Sequence, residues 1–185
     1  MSPIFIFHGT EGYPEENWFP WLKRELENMN HTVFVPQFPT TPVIPARVSE
    51  WFDVLKQYEE HLTNDAILIG HSLGGVFILR ILEQLEHPIK AAVLVATPGI
   101  DPLFSNERDN IFCSFDFDWD TISKKAENFI AFQSDTDPYV SLGNGEALAK
   151  HLNIPLDFVP NAGHFNTKAG YTEFDLLLKR LMPLL

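Results

Sequence analysis

Six short apolar runs punctuate the chain, at residues 3–7, 32–35, 66–69, 91–96, 129–132 and 156–159. Their length suits strands, and runs of this kind are buried on both faces of a sheet. The segments between them repeat their apolar residues at a period near 3.6. Trp18, Trp21, Leu22, Leu26 and Met29 fall on one helical face, and Val48, Trp51, Phe52, Leu55 and Tyr58 on another. A broader stripe holds Val76, Leu79, Ile81, Leu82 and Leu85, and Ala147, Leu148 and Leu152 form a later one. Strand and helix alternate to the end, which predicts an α/β fold: a parallel six-stranded sheet of order 2-1-3-4-5-6 between two layers of helices.

Two stretches break the alternation. Residues 36–45 carry four prolines and predict an extended loop, and residues 97–121 form a long connection containing Pro98 and Pro102. No repeat, low-complexity tract or linker interrupts the pattern, so one domain is expected over residues 1–185. The 185 residues can bury roughly 70% of the extended-chain surface, enough for a core without disulfide or metal staples. Cys113 is the single cysteine and has no partner in the chain, which excludes a disulfide-framed module. No cofactor or metal is implied. Thirteen basic residues against twenty-five acidic ones leave a net charge of −12, which argues against nucleic acid or an anionic membrane as partner. The first basic residue is Lys23, so the apolar start lacks the charged flank of an export signal, and a cytoplasmic protein is expected.

The chemistry is concentrated after the third strand, in Gly70-His71-Ser72-Leu73-Gly74-Gly75. Gly-x-Ser-x-Gly between a strand and a helix is the pattern of a nucleophile elbow, a tight turn whose flanking positions leave no room for side chains. The bare pattern arises by chance about 0.06 times in a chain of this length. A phosphate-binding loop is not indicated, because neither Gly-Lys-Ser/Thr nor Gly-x-Gly-x-x-Gly is present.

A serine nucleophile needs a base, and the base needs an acid to hold its tautomer. In this strand-turn-helix setting the order is Ser, then acid, then His. Of the histidines after Ser72, His87 closely follows the helix that Ser72 opens, and His151 lies inside a helical pattern. His164 instead follows the last strand, at its carboxyl end, where open α/β sheets place their ligands. The acid is expected after the fifth strand, where Asp135 and Asp137 both stand; Asp137 precedes Pro138 and is favoured, while Asp135 suits a turn. Asp101 is a reserve from one strand earlier. The oxyanion donors are expected to be the backbone N–H groups of Leu73 and Thr10. Gly9 and His71 are assigned to substrate binding beside them, and the plainer role for His8 and His71 is to position loops by hydrogen bonds.

With these residues the chain resembles the small serine hydrolases of the α/β-hydrolase superfamily, in the compact family named for a retinoblastoma-binding protein. The resemblance rests on the His8-Gly9 start, Trp18-Phe19-Pro20-Trp21-Leu22, Gly70-His71-Ser72-Leu73-Gly74, residues 134–140 and Gly163-His164-Phe165-Asn166. It implies a triad of Ser72, Asp137 and His164, and a sheet lacking the first two strands and the cap domain of larger relatives. The expected activity is hydrolysis of a small carboxylic ester, thioester or amide, with a small molecule as the partner.

Two other readings exist. A hydrolase-fold protein can act as a protein-binding module, although a Leu-x-Cys-x-Glu docking motif is absent around Cys113. Asp116, Asp118, Asp120 and Glu127 stand at positions 1, 3, 5 and 12 of a calcium loop, but Thr121 occupies the position that requires glycine. A loop with its aromatics inward and its acids outward is the expectation there.

Overall fold

The apolar runs form the centre of the molecule. In the computed structural model, which describes residues 1–40, 47–100 and 116–185, they become β1 (Pro3–Phe7), β2 (Thr32–Phe34), β3 (Ile67–His71), β4 (Ile89–Val95), β5 (Ala126–Gln133) and β6 (Leu156–Phe158). All pairings are parallel and the order is β2-β1-β3-β4-β5-β6. The chain therefore winds outward from β1 to β2 and then returns to place β3 on the other side of β1. That reversal opens a crevice beyond the carboxyl ends of β1 and β3.

Strand periodicity divides the core. Ile4, Ile6, Ile67, Ile69, Val93 and Val95 point to one face, where α1 (Phe19–Asn28) and α6 (Asp175–Leu181) cover them. Phe5, Phe7, Leu68, Ala92 and Leu94 point to the other, under α2 (Val48–Leu55), α3 (Leu73–Gln84), α4 (Trp119–Ile122) and α5 (Leu142–Leu152). The two-sided burial explains why the strands read as apolar runs without alternation. α3 is apolar nearly all round because it lies against the middle of the sheet, with nine of its twelve residues buried.

Several boundaries shift from expectation for local reasons. β3 runs past Ile69 through Gly70 and His71, because both stay in register with β4 opposite Leu94 and Val95. The second helix tightens after Leu55 into a 3₁₀ turn over Lys56–His61, and the third stops at Gln84, where Leu85 turns extended. The long connection before β5 contains α4, whose first turn is capped by Asp118: its carboxylate accepts from the Thr121 N–H at 3.0 Å and the Thr121 hydroxyl at 2.7 Å.

The same capping disperses the calcium-like series. Asp116 pairs with Arg80 at 3.1 Å, Asp118 caps α4 and Glu127 lies exposed on β5, while Phe117 is buried under the Arg80 guanidinium. No cluster of three or more metal-ligating side chains occurs among the described residues. Asp101, Cys113 and residues 41–45 of the proline loop lie outside the described residues. No described helix is long and apolar enough to cross a membrane.

Candidate active site

Ser72 sits between β3 and α3 with φ 54° and ψ −122°, a backbone state that non-glycine residues rarely adopt. The turn is held by Ser72 N–H donating to the Val95 carbonyl at 2.8 Å, and by Gly75 N–H donating to the Ser72 carbonyl at 2.9 Å. Close approach accounts for two glycines: a Cβ on Gly70 would lie 2.5 Å from the Gly74 backbone, and one on Gly74 would strike the Phe7 carbonyl. Leu73 opens α3, so its N–H is among those left without an intrahelical acceptor at the positive end of the helix dipole.

Gly9 approaches Ser72 from the end of β1. A Cβ there would lie 2.8 Å from the Ser72 Cβ and 3.3 Å from its hydroxyl oxygen. The Gly9 carbonyl is fixed by two donors, His8 Nδ1–H at 2.9 Å and Gly12 N–H at 3.2 Å. His8 is fully buried, and its Nε2 accepts from Phe38 N–H at 2.9 Å, so the ring joins the β1 loop to the segment after β2. Burial keeps His8 below its ordinary pKa, in keeping with a neutral imidazole that donates from one nitrogen and accepts at the other.

His164 follows β6, in a turn that includes Gly163 and Phe165, both at positive φ. Its Nδ1 donates to the Asp137 Oδ2 at 2.8 Å; the Asp137 side chain has no exposed surface and that of His164 has 10%. The second Asp137 oxygen accepts from the backbone N–H of Tyr139 at 2.8 Å and of Val140 at 3.0 Å. A carboxylate held this way fixes one tautomer of the imidazole, leaving Nε2 as the acceptor. Asp135 points elsewhere, accepting from Asn161 N–H at 2.8 Å; instead of capping its own turn, it joins the loop after β5 to the turn after β6.

His71 occupies the floor of this arrangement. It is 4% exposed, its Nε2 donates to the His164 carbonyl at 2.7 Å, and its ring lies 4.8 Å from that of His164. Trp18 and Phe19 pack edge-on against its ring. Burial, with further repulsion from His164, drives the His71 pKa down to about 3. Its ring is thus turned to the protein interior and fastens the His164 loop, the positioning role rather than an open substrate-binding face.

Two residues beside His164 carry no signal in the motifs. Tyr139, 56% exposed, sets its ring edge-on to His164 at 5.0 Å. Glu16 is half-buried, and desolvation raises its carboxyl to about 7 against the opposing pull of the Tyr13 backbone and of His164. An acid just before an amphipathic helix reads as an ordinary helix-start charge, which is why sequence alone passes over it.

The profile of the family described as serine hydrolase matches residues 4–182. The chain belongs to the serine hydrolase family. Among its relatives, a protein of Bacillus subtilis (strain 168) named as the hydrolase YdeN is 28% identical over 175 residues, covering 94% of this chain and 91% of the relative. Serine hydrolase RBBP9 of Rattus norvegicus is 28% identical over 168 residues, covering 91% and 86%. The crystal structure of the B. subtilis ydeN gene product superimposes with a TM-score of 0.88 at 26% identity, covering 100% of this chain and 98% of the other. An α/β hydrolase enzyme from a lagoon-sediment metagenome superimposes at 0.73 with 17% identity, covering 98% and 91%, and so shares the fold. This serine hydrolase is an enzyme with the α/β-hydrolase fold, and the residues gathered around Ser72 lie at the end of the sheet where that fold places ligands.

Proposed function

We propose that this serine hydrolase cleaves a small carboxylic ester, or the corresponding thioester or amide, through an acyl-enzyme on Ser72. The observation that carries the reading is the Asp137–His164 hydrogen bond of 2.8 Å, with the carboxylate side chain fully buried. Its loops leave the same end of the sheet as the Ser72 turn. Ser72 Oγ attacks the carbonyl carbon while His164 Nε2 takes the hydroxyl proton. The tetrahedral intermediate collapses, the bond to the leaving group breaks, and His164 returns the proton to the departing oxygen, sulfur or nitrogen. Water then repeats the sequence on the acyl-enzyme, releasing the acid and restoring Ser72.

The oxyanion is held by the N–H groups of Leu73 and Thr10. In a planar trans peptide the N–H points opposite to the C=O. The two donors that fix the Gly9 carbonyl therefore also fix the direction of the Thr10 N–H, so this donor needs no reorientation during the reaction. Asp137 acts by orienting and stabilising the imidazolium, and takes no proton.

The test is Ser72→Ala. Wild type should be labelled by a fluorophosphonate probe and should turn over p-nitrophenyl acetate; the variant should lose both while melting as a folded protein. Activity at the wild-type rate in purified variant would exclude Ser72. Failure of the wild type to label or turn over any ester would favour a binding role for the fold.

A further inference from the structure

The side chain of Tyr139 takes no part in the reaction described above, yet its backbone belongs to the structure that holds the acid. Its N–H donates to Asp137 Oδ1 at 2.8 Å, and the next N–H, that of Val140, donates to the same oxygen at 3.0 Å. The Val140 carbonyl accepts at 2.8 Å from Nε2 of Gln133, a fully buried side chain at the end of β5. Pro138, with its fixed φ, precedes Tyr139, and the buried Val140 side chain follows it. The Tyr139 backbone is thus anchored on both sides while its ring stands outside, 56% of the residue remaining exposed.

A single exposed aromatic ring is ordinary on a protein surface. The position of this one is not. Its centroid lies 5.0 Å from that of His164, with the two planes at 78°, and His164 is its one ring partner among the described residues. The His164 side chain keeps 10% of its surface open, so a substrate that reaches this imidazole arrives beside a large apolar ring. In acyl transfer the leaving atom must come to His164 Nε2, because that nitrogen returns the proton to it. The acyl group stays on Ser72, its oxygen turned to the N–H groups of Leu73 and Thr10. The substituent on the leaving atom is therefore the part of the substrate that meets the surroundings of His164.

We propose that Tyr139 is a specificity-determining residue, its ring receiving a flat apolar substituent on the leaving atom, so that aryl leaving groups are favoured over alkyl ones. The inference rests on the triad reading and narrows the substrate class within it. The ring offers an apolar face without a countercharge, and an aromatic group laid against it gains a ring–ring contact beyond the burial of its area. An alkyl group gains burial alone. An aryl and an alkyl acetate leave the same acetyl-enzyme behind, so the preference belongs to the acylation half of the reaction and is expressed in kcat/KM.

The experiment is the kcat/KM of phenyl acetate and of hexafluoroisopropyl acetate, an aryl and an alkyl ester whose leaving groups are of similar acidity. It is run in wild type, Tyr139→Phe, Tyr139→Leu and Tyr139→Ala, with a thermal melt of each. The aryl-to-alkyl ratio cancels any effect common to both esters. It should be little changed in Tyr139→Phe, which keeps the ring, and should fall about three- to tenfold in Tyr139→Leu and Tyr139→Ala, the worth of one aromatic pair. Tyr139→Leu carries the test should Tyr139→Ala fold poorly, and all three variants keep the backbone N–H that holds Asp137. A ring that served only to position His164 would, on removal, slow both esters by the same factor, and an unchanged ratio in Tyr139→Leu overturns the proposal. A ratio that collapses in Tyr139→Phe as well would assign the preference to the hydroxyl and overturn it too. Ser72→Ala, run alongside on both esters, separates the two readings: activity retained there sinks the triad itself, whereas activity abolished there with an unchanged Tyr139 ratio sinks only the role of Tyr139.

Discussion

A buried imidazole with its pKa lowered to about 3 makes the folded state sensitive to acid in a way that His71→Gln should expose. Protonating His71 would place a second N–H at Nδ1, a buried atom with no hydrogen-bond partner among the described residues. The unfolded chain has no such restriction and binds a proton at His71 near pH 6.5. The folded pKa is depressed, so the stability linked to His71 is present above about pH 6.5 and is lost as pH falls toward 3. The loss approaches about 1.4 kcal/mol per pH unit inside that window, or about 2 kcal/mol between pH 8 and pH 5. Glu16 opposes it: its folded pKa is raised, so stability is withheld above pH 7 and regained on acidification, by a smaller amount because the carboxyl is partly solvated. Comparison of wild type with Glu16-intact His71→Gln cancels that opposing contribution. The substituted amide can still donate toward the His164 carbonyl and does not titrate. Urea unfolding followed by tryptophan fluorescence at pH 8, 7, 6 and 5 should show the wild type losing about 2 kcal/mol relative to His71→Gln across the series. Parallel profiles would mean that His71 is not held neutral, and the account of the floor of the site would fail with them.

Other outcomes follow from single contacts. Asp137→Asn should lower kcat by roughly 10³ to 10⁴, measured on an activated ester, whereas Asp135→Asn, which removes a charge but keeps an amide oxygen to accept from Asn161 N–H, should cost far less; the reverse order would exchange their roles. Gly9→Ala should slow probe labelling of Ser72 sharply and lower the melting temperature, because the added methyl falls 2.8 Å from the Ser72 Cβ and 3.3 Å from its hydroxyl; labelling at the wild-type rate would refute the close approach. Between β3 and β4 the chain has α3 and a short turn, so no inserted cap deepens the crevice there. Each acyl methylene left in water forgoes about 0.8 kcal/mol of binding, and kcat/KM across acetyl to palmitoyl esters should peak at short chains without a jump at the micelle concentration; a maximum at palmitoyl would contradict this.

The sheet was legible because its strands are buried on both sides: runs such as residues 91–96 have no polar register to confuse with a helix. The Ser72 turn was legible because close packing restricts Gly70 and Gly74 to a residue without a side chain. The position of His164 after the final strand and of Asp137 before Pro138 points to the two residues that share a 2.8 Å hydrogen bond, whereas no local pattern foretells that Asp135 accepts from Asn161 N–H. Contacts between distant segments left no trace in local patterns. Trp18 reads as one more member of an apolar stripe, yet its indole nitrogen holds the Phe165 carbonyl 147 positions away. His71 reads as the variable residue of a motif, and its bond to His164 spans 93 positions. The α4 turn was missed because its four residues are too short to display a period.

Those spans have a consequence for how the enzyme is made. Closing a loop between segments so far apart is entropically costly and slow, and it is repaid only when both segments already have a surface to dock on. β3, the Ser72 turn and α3 are contiguous and can assemble together, but the His164 loop is completed only by bonds to segments far apart, Asn17 and Trp18 near the start of the chain, His71 at the end of β3, and Asp135 and Asp137 after β5. With His164 as the proposed base, hydrolytic competence would belong to the last stage of folding. During refolding from urea, helical circular dichroism should return before the capacity to react with a fluorophosphonate, and a chain still emerging from the ribosome would carry its serine turn long before it could use it.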